Sequence, residues 1–444
     1  MLIPKEFENR MKKIIPHYNE FIREMENDNV KGIKVNTNKI EVEEFLKIFP
    51  YKLEKIPYTN DGFYLKENIK IGNHPYHHMG LFYSQDPGAQ APINSIEIKE
   101  DYKVLDLCSA PGGKSIQIAS KLKKGFLISN EYNPKRDQIL YSNIERMGLT
   151  NVVVTNSDVN TLKEVYQGYF DLVVIDAPCS GEGMFRKNIE ALNEWSLENI
   201  ELCVKRQKEL LNNAKDMVKE NGYILYSTCT YELEENEKMI EWFVKNYNYE
   251  IKELNKKIDN YTTKGIKTDE NTEKSRRFYP HISKGEGQFM CLLQNKNKVE
   301  QKVLLKKKNY PTSKEQKIID EFLENLDIKI ETNIQNNKVF KAVTEIPDKI
   351  HVISSGVQIG EIKNNYMHPN HYLFSAYGTH FKNKYNFSIN DERVLKYLNG
   401  EEIEANVPNG WGVITIEGYP LGGYKATNGK LKNHYPKGLR NICK

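Results

Sequence analysis

Short apolar runs bounded by polar turns recur along the middle of the chain, alternating with stretches whose apolar positions fall three and four apart. Val104, Leu105 and Leu107 form one such run, suited to a buried parallel strand. Ala110-Pro111-Gly112-Gly113 then supplies a turn. From Ser115 onward, Ile116, Ile118, Ala119 and Leu122 predict a helix packed back on the sheet. GFLISNEYN predicts a second strand ending at Glu131, followed by a helix over Pro134–Met147 that Gly148 stops. NVVVTNSD reads as a third strand ending at Asp158, and YFDLVVIDAPCSGEG as a fourth ending at Asp176 and Cys179. A helix over about 200–218 precedes GYILYSTCTYELEENE, the fifth strand, and Arg277-Phe-Tyr-Pro280 with GEGQFMCLLQ closes the region as a hairpin. Strands alternating with helices predict a doubly wound parallel α/β sheet.

The flanks pattern differently. Phe7, Met11, Ile14 and Ile15 lie on one face of an opening helix, KGIKVNTNKI reads as a strand, and Val42–Phe49 as a helix. Residues 298–317 read as a basic connector, a mixed region follows to about 385, and the last stretch shows short strands with glycine turns, suggesting a small barrel. The expected domains are therefore 1–95 (α+β), 96–296 (the α/β core), 297–385 (linker and middle region) and 386–444 (small β-barrel). A length of 444 residues agrees with two to four cores.

Composition narrows the setting. No run of eighteen apolar residues occurs, so no membrane span is expected, and charges interrupt the N-terminus where a signal peptide needs an apolar core. The 6 cysteines form no CxxC pair. They read as reduced thiols of a cytoplasmic protein, without zinc. His74, His77 and His78 lack a matching carboxylate or cysteine and read as surface or stacking groups, with no metal expected. A net charge of +4 is too small to identify a polyanionic partner by itself.

The candidate chemistry sits at the strand ends. Ligands bind such sheets at the carboxyl ends of the strands, and these end in Asp106/Cys108, Glu131, Asp158, Asp176/Cys179 and Cys229. Any one acid could be a helix cap. CSAPGGKS is nearly the phosphate loop of nucleotide hydrolases, but Cys108 occupies its first glycine position and Pro111 deletes an amide that a phosphate cradle uses. A methyltransferase turn around a nucleoside-plus-amino-acid cofactor is the better reading. Glu131 suits ribose hydroxyls, and Asp158 suits an adenine edge or else a helix cap. Cys179 and Cys229 each follow a buried strand; if those strands are neighbours, both thiols face one pocket. A thiolate attacking carbon 6 of a pyrimidine makes carbon 5 nucleophilic enough to take a methyl group, after which the carbon 5 proton must leave. The bland alternative is that both are small buried hydrophobes.

CSAPGGK, Glu131, DAPCSGEG and STCTYELEENE together resemble the motifs of the NOP/SUN family of RNA cytosine-5 methyltransferases. VNTNK, GLFYSQDPGAQ and RRFYPH…GEGQF also fit, and the final GW…GYPLGGYK…GKLKNHYPKGLR is similar to the PUA-like tail of its RsmF-type bacterial 16S rRNA enzymes. The resemblance implies a Rossmann-like class I methyltransferase core with RNA-binding flanks. It implies S-adenosylmethionine held by Cys108, Ser109, Ala110, Pro111, Gly112, Gly113, Lys114, Glu131, Arg136, Asp158 and Asp176. Cys229 would be the nucleophile and Cys179 would assist product release. Asp176 would face the N3 side of cytosine, joined by Lys114. A swap of PGSK to PGGK removes one hydroxyl from the loop. The implied partner is 16S rRNA or the 30S subunit, with transfer RNA or another rRNA as the alternative, acting as a monomer without DNA or membrane. A nucleotide hydrolase and a methylation-inactive assembly factor are the other classes considered. The target base must be unpaired or extruded at a cost of a few kcal/mol. Lys425, Lys430, Lys432, Lys437 and Arg440, interleaved with Tyr424, His434 and Tyr435, suit an RNA surface, while Lys306–Lys308 reads as linker.

Overall fold

The structure, a computed structural model, describes residues 3–440 apart from 68, 188, 304 and 306–308. The expected linker Lys306–Lys308 lies outside the described residues.

At the centre stands a parallel sheet of β1 (Lys103–Asp106), β2 (Phe126–Asn130), β3 (Val152–Thr155), β4 (Phe170–Asp176) and β5 (Val218–Thr228), in the spatial order β5-β4-β1-β2-β3. The chain first builds outward from β1 to β3 and then returns to the other side of β1 with β4. That reversal leaves a crevice above the carboxyl ends of β1 and β4, where such sheets take their ligands. The strands are apolar on both faces because both are covered. Val104, Leu127, Val154 and Leu172 turn to one side, against α1 (Gly113–Lys121) and α2 (Pro134–Met147). Leu105, Ile128, Val153 and Val173 turn to the other, against α3 (Val159–Val165) and α4 (Leu197–Met217). Each such side chain contributes about 1.5–3 kcal/mol when fully buried. The sequence places the second helix at Pro134–Met147, as observed. Asn133 caps its start and left-handed Gly148 ends it. The first helix begins two residues earlier than the apolar spacing suggests, at Gly113.

Antiparallel additions flank the sheet. Gln288–Asn295 pairs with β5 and Arg276–Phe278 pairs with it in turn, the hairpin the sequence predicts. On the other edge, Val352–Ser354 reaches in from the middle region to pair with β3. That addition is not evident from the sequence. Part of the expected connector is helix: Ser313–Leu323 starts at a capping box in which Thr312 and Glu315 satisfy each other's backbone amides. The middle region otherwise forms a four-stranded antiparallel sheet, and from helix His371–Tyr377 the Tyr372 hydroxyl donates to the carbonyl of Leu149, just past the end of α2.

The N-terminal four-stranded sheet and the C-terminal five-stranded sheet share one apolar core, in which Phe45, Phe82 and Leu81 meet Tyr397, Leu398 and Tyr424. The Tyr435 hydroxyl lies 2.9 Å from His78 Nδ1 across that junction. The neighbouring histidines stack as expected, His74 on Phe49, His77 on Phe82 and His78 on Tyr435, the first two half-buried and His78 buried.

Candidate functional site

A cleft of about 550 Å³ opens at the carboxyl ends of β1 to β5. Leu107, Cys108 and Ala110 wall it from the turn after β1, Glu131 from the end of β2, Asp158 from the loop after β3, Asp176 and Cys179 from β4, and Cys229 from β5. The turn itself is shaped by Gly112, whose φ of 114° lies where an L side chain is strained. A side chain at Gly113 would press on the amide of Gln85 at 3.0 Å.

The residues named from sequence divide into those that face the cleft and those that build it. Cys108, Ala110, Glu131, Arg136, Asp158, Asp176, Cys179 and Cys229 line it. Ser109, Pro111, Gly112, Gly113 and Lys114 do not. Ser109 is turned inward: its amide donates to the carbonyl of Asn130 at 3.0 Å and its hydroxyl to that of Asp106 at 2.8 Å. Arg136 is a strap, donating to the carbonyl of Ala110 at 2.7 Å and standing 3.6 Å from Glu131 Oε2. Glu131 Oε1 accepts from the amide of Asn133 at 2.9 Å, whereas Oε2 is buried without a hydrogen-bond partner. A carboxylate oxygen that accepts no hydrogen bond, on a residue of the cleft wall, suits a ligand hydroxyl. Asp158 takes the helix-cap role, capping α3 through the amide of Asn160 at 2.8 Å, and also lines the cleft.

Below the turn, the buried Asp106 accepts from Ser115 Oγ at 2.7 Å, and burial pushes its carboxyl up to about 7. Lys114 Nζ reaches across to Asp176 Oδ2 at 2.8 Å, and Ser227 Oγ donates to Asp176 Oδ1 at 2.8 Å. Asp176 therefore presents its remaining capacity to the cleft from a fixed position.

The two thiols meet. Strands β4 and β5 are parallel neighbours, so the turns that follow them bring Cys179 Sγ to 3.3 Å from Cys229 Sγ. The hydrogen bond to Cys229, reinforced by burial, pushes the Cys179 thiol well above its ordinary range. Either sulfur can be the donor in that contact. Cys108 is also pushed up, by burial. That leaves it a wall rather than a nucleophile.

Arg206 and Glu209 of α4 stand at the cleft rim, and sequence reasoning did not single them out. The signal was present: Arg206, Glu209 and Leu210 recur at three and four residues on one helical face. The C-terminal basic surface needs correction. Lys425, Lys430, Lys432 and Lys437 are exposed, but Tyr424 and Tyr435 are core residues, because strand alternation turns Tyr424 inward beside outward Lys425. Arg440 bonds the carbonyl of Tyr435 at 2.8 Å, and His434 packs on Trp411 with ring centroids 4.5 Å apart.

Comparison with known proteins is consistent along the chain. The family described as 16S rRNA methyltransferase RsmB/F matches residues 93–294, the N-terminal domain of 16S rRNA methyltransferase RsmF matches residues 3–87, and the methyltransferase RsmF PUA domain matches residues 384–441. A ribosomal RNA small subunit methyltransferase F of Pectobacterium carotovorum is 36% identical over 54% of this chain, an alignment spanning 52%, about half, of that protein's length. The protein of the same name from Shewanella oneidensis is 31% identical over 92% of this chain and 90% of its own. Among solved structures, a methyltransferase homologue from Pyrococcus horikoshii is similar with a TM-score of 0.58 at 27% identity, covering 66% of this chain and 95% of its own.

Proposed function

The chain belongs to the RsmF family of ribosomal RNA small subunit methyltransferases, and from that premise we propose that it methylates carbon 5 of a cytosine in 16S rRNA, with S-adenosylmethionine as donor. The observation that carries this reading is the 3.3 Å approach of the Cys179 and Cys229 sulfurs at the wall of the cleft.

The cleft suits the cofactor on its own terms. A volume of about 550 Å³ is of the size that small-molecule sites take, and the orphaned Glu131 Oε2 awaits a donor such as a ribose hydroxyl. Glu131 and Asp158 would hold the nucleoside, with the turn Cys108–Lys114 and Arg136 closing on it. When bound, S-adenosylmethionine supplies an electrophilic methyl group.

The chain's own residues account for the rest. Cys229, as thiolate, forms a bond to carbon 6, and the electron pair of the C5–C6 double bond shifts through the ring toward N3. Asp176 and Lys114, 2.8 Å apart, face that developing charge and supply a proton there. Carbon 5, now enamine-like, takes the methyl group. Loss of the carbon 5 proton to a base then restores the double bond, expels Cys229 as thiolate and returns the N3 proton to the Asp176–Lys114 pair. Cys179, next to the departing sulfur, assists that release. The exposed cations Lys425, Lys430, Lys432 and Lys437 would hold RNA phosphates. The chain would act as a monomer in the cytoplasm.

The test is methyl transfer from radiolabelled S-adenosylmethionine to 16S rRNA, free or in 30S subunits, mapped by bisulfite sequencing. The expected result is label at carbon 5 of cytosine, abolished by Cys229→Ala. Label on another atom, or full activity of Cys229→Ala, overturns the reading.

A further inference from the structure

Behind the two thiols lies a second cluster that the methyl transfer as described does not use. Glu182 and Glu235 are fully buried, in the loops after β4 and β5. Ser180 stands between them. Its Oγ lies 2.8 Å from Glu182 Oε1 and also contacts Glu235 Oε1. One hydroxyl hydrogen cannot serve two carboxylate oxygens. Glu182 Oε1 also accepts the indole of Trp195 at 2.7 Å, and Glu235 Oε2 accepts from the Gln207 amide at 2.6 Å and the Ser180 amide at 3.2 Å. Both carboxylate contacts of Ser180 Oγ are served when Glu235 Oε1 carries a proton and donates it to Ser180 Oγ, whose own hydrogen goes to Glu182. Neighbouring cations are engaged elsewhere: Arg10 with Glu232 and Glu234, Arg186 with Glu24 and Glu286.

This cluster grips the thiol loops. Glu235 holds the amide of Ser180, while Gln207 also donates to the carbonyl of Pro178 at 2.9 Å, so the backbone is anchored on both sides of Cys179. The Tyr226 hydroxyl ties the carbonyl of Glu235 to β5 at 2.8 Å. From the turn that carries Glu182, the amide of Gly183 donates to the carbonyl of Cys229 at 2.8 Å. We propose that Glu235, protonated and linked through Ser180 to Glu182, is a positioning residue that holds Cys179 against Cys229, and that its ionisation disarms the pair. The proposal rests on the reading of these thiols as the methylating pair.

The electrostatics agree with the geometry. Burial, then the charge of Glu182, pushes Glu235 up to about 8. Once ionised, Glu235 opposes a thiolate nearby, as its effect on Cys179 indicates. Cys203 from α4 and Tyr226 from β5 also face Glu235, and Cys203 in turn faces Arg206 and Cys229. Glu232, beyond Glu182, is pushed up to about 7, mainly by burial.

The experiment follows the rate of methyl transfer by the full-length enzyme against pH for wild type, Glu235→Gln and Glu182→Gln. Glutamine reproduces the donor to Ser180 and the acceptor for Ser180 and Gln207 but cannot ionise. With Glu235 titrating at about 8, roughly a tenth stays protonated at about pH 9, so the rate ratio of Glu235→Gln to wild type rises about tenfold between about pH 7 and about pH 9. A limb caused by Glu232 would survive in both enzymes and cancel in the ratio. Glu182→Gln lets Glu235 ionise sooner and moves the wild-type decline toward lower pH. Glu235→Ala accumulates covalent enzyme–RNA adduct at neutral pH, and glutamine at the same position relieves it. A flat ratio, an unmoved limb in Glu182→Gln, or adduct that glutamine does not relieve overturns the proposal. Failure of wild type to methylate cytosine at neutral pH overturns the underlying reading instead.

Discussion

Cys179 and Cys229 are fifty residues apart in the chain and meet because β4 and β5 are adjacent and parallel. Their partnership was legible in the sequence, since each follows an apolar run and consecutive strands tend to neighbour. What could not be read was which turn residues face the ligand. Ser109 and the glycines sit in the same motif as Cys108, yet they support the turn from behind, and only the hydrogen bonds of Ser109 to Asn130 and Asp106 reveal it. Glu131 is the residue through which the cofactor reading is tested most simply. Glu131→Ala removes an acceptor for the ribose and is expected to weaken S-adenosylmethionine by about 1.4–2.8 kcal/mol, roughly tenfold to a hundredfold in Kd. Titration calorimetry measures it, and an unchanged Kd contradicts the assignment.

Among elements, the helices Lys5–Ile14 and Tyr18–Met25 matter beyond their own ends. Phe7 packs on Phe185 and Trp195, with centroids 5.5 and 5.8 Å away, and Phe21 meets Tyr231 edge-on at 5.2 Å. Arg10 adds an ion pair to Glu232 at 2.6 Å. These contacts brace the loops after β4 and β5 that carry the thiols. The amphipathic face of the first helix was evident from Phe7 and Met11, but its partner was not, because periodicity says which face is buried and not against what. The same limit hid the edge strand Val352–Ser354, too short to distinguish from loop by pattern. Phe7→Ala is expected to cost about 3–5 kcal/mol and to slow methyl transfer more than cofactor binding. Thermal melts and single-turnover rates check this. Unchanged melting with unchanged turnover would mean that the helix is an ornament to the site.

At the scale of the whole molecule, the two ends of the chain are joined: the first and last sheets share a core, with His78, His371 and Tyr435 at the junction. The sequence, read as separate flanks, gave no sign of that contact. Burial lowers His78 to about 4 and His371 to about 3, against about 6.5 for an unfolded chain. The folded molecule thus binds fewer protons in that interval. The stability this represents is present above about pH 6.5 and is lost as pH falls from there toward about 4, at up to about 1.4 kcal/mol per pH unit for each group. Melting temperature against pH should show the decline, and His371→Phe should flatten part of it; a wild-type Tm that holds steady down to about pH 4 refutes the argument. The exposed lysines of the C-terminal sheet lie outside that core, and Lys425→Glu with Lys432→Glu should weaken RNA binding and reduce its salt dependence, leaving cofactor affinity unchanged. The most direct measurement concerns the thiol pair itself. Cys179→Ala, incubated with S-adenosylmethionine and 16S rRNA and run on a denaturing gel, should give a slow-migrating covalent enzyme–RNA band that is absent when Cys229 is also replaced. No such band, with full turnover by Cys179→Ala, would contradict the account.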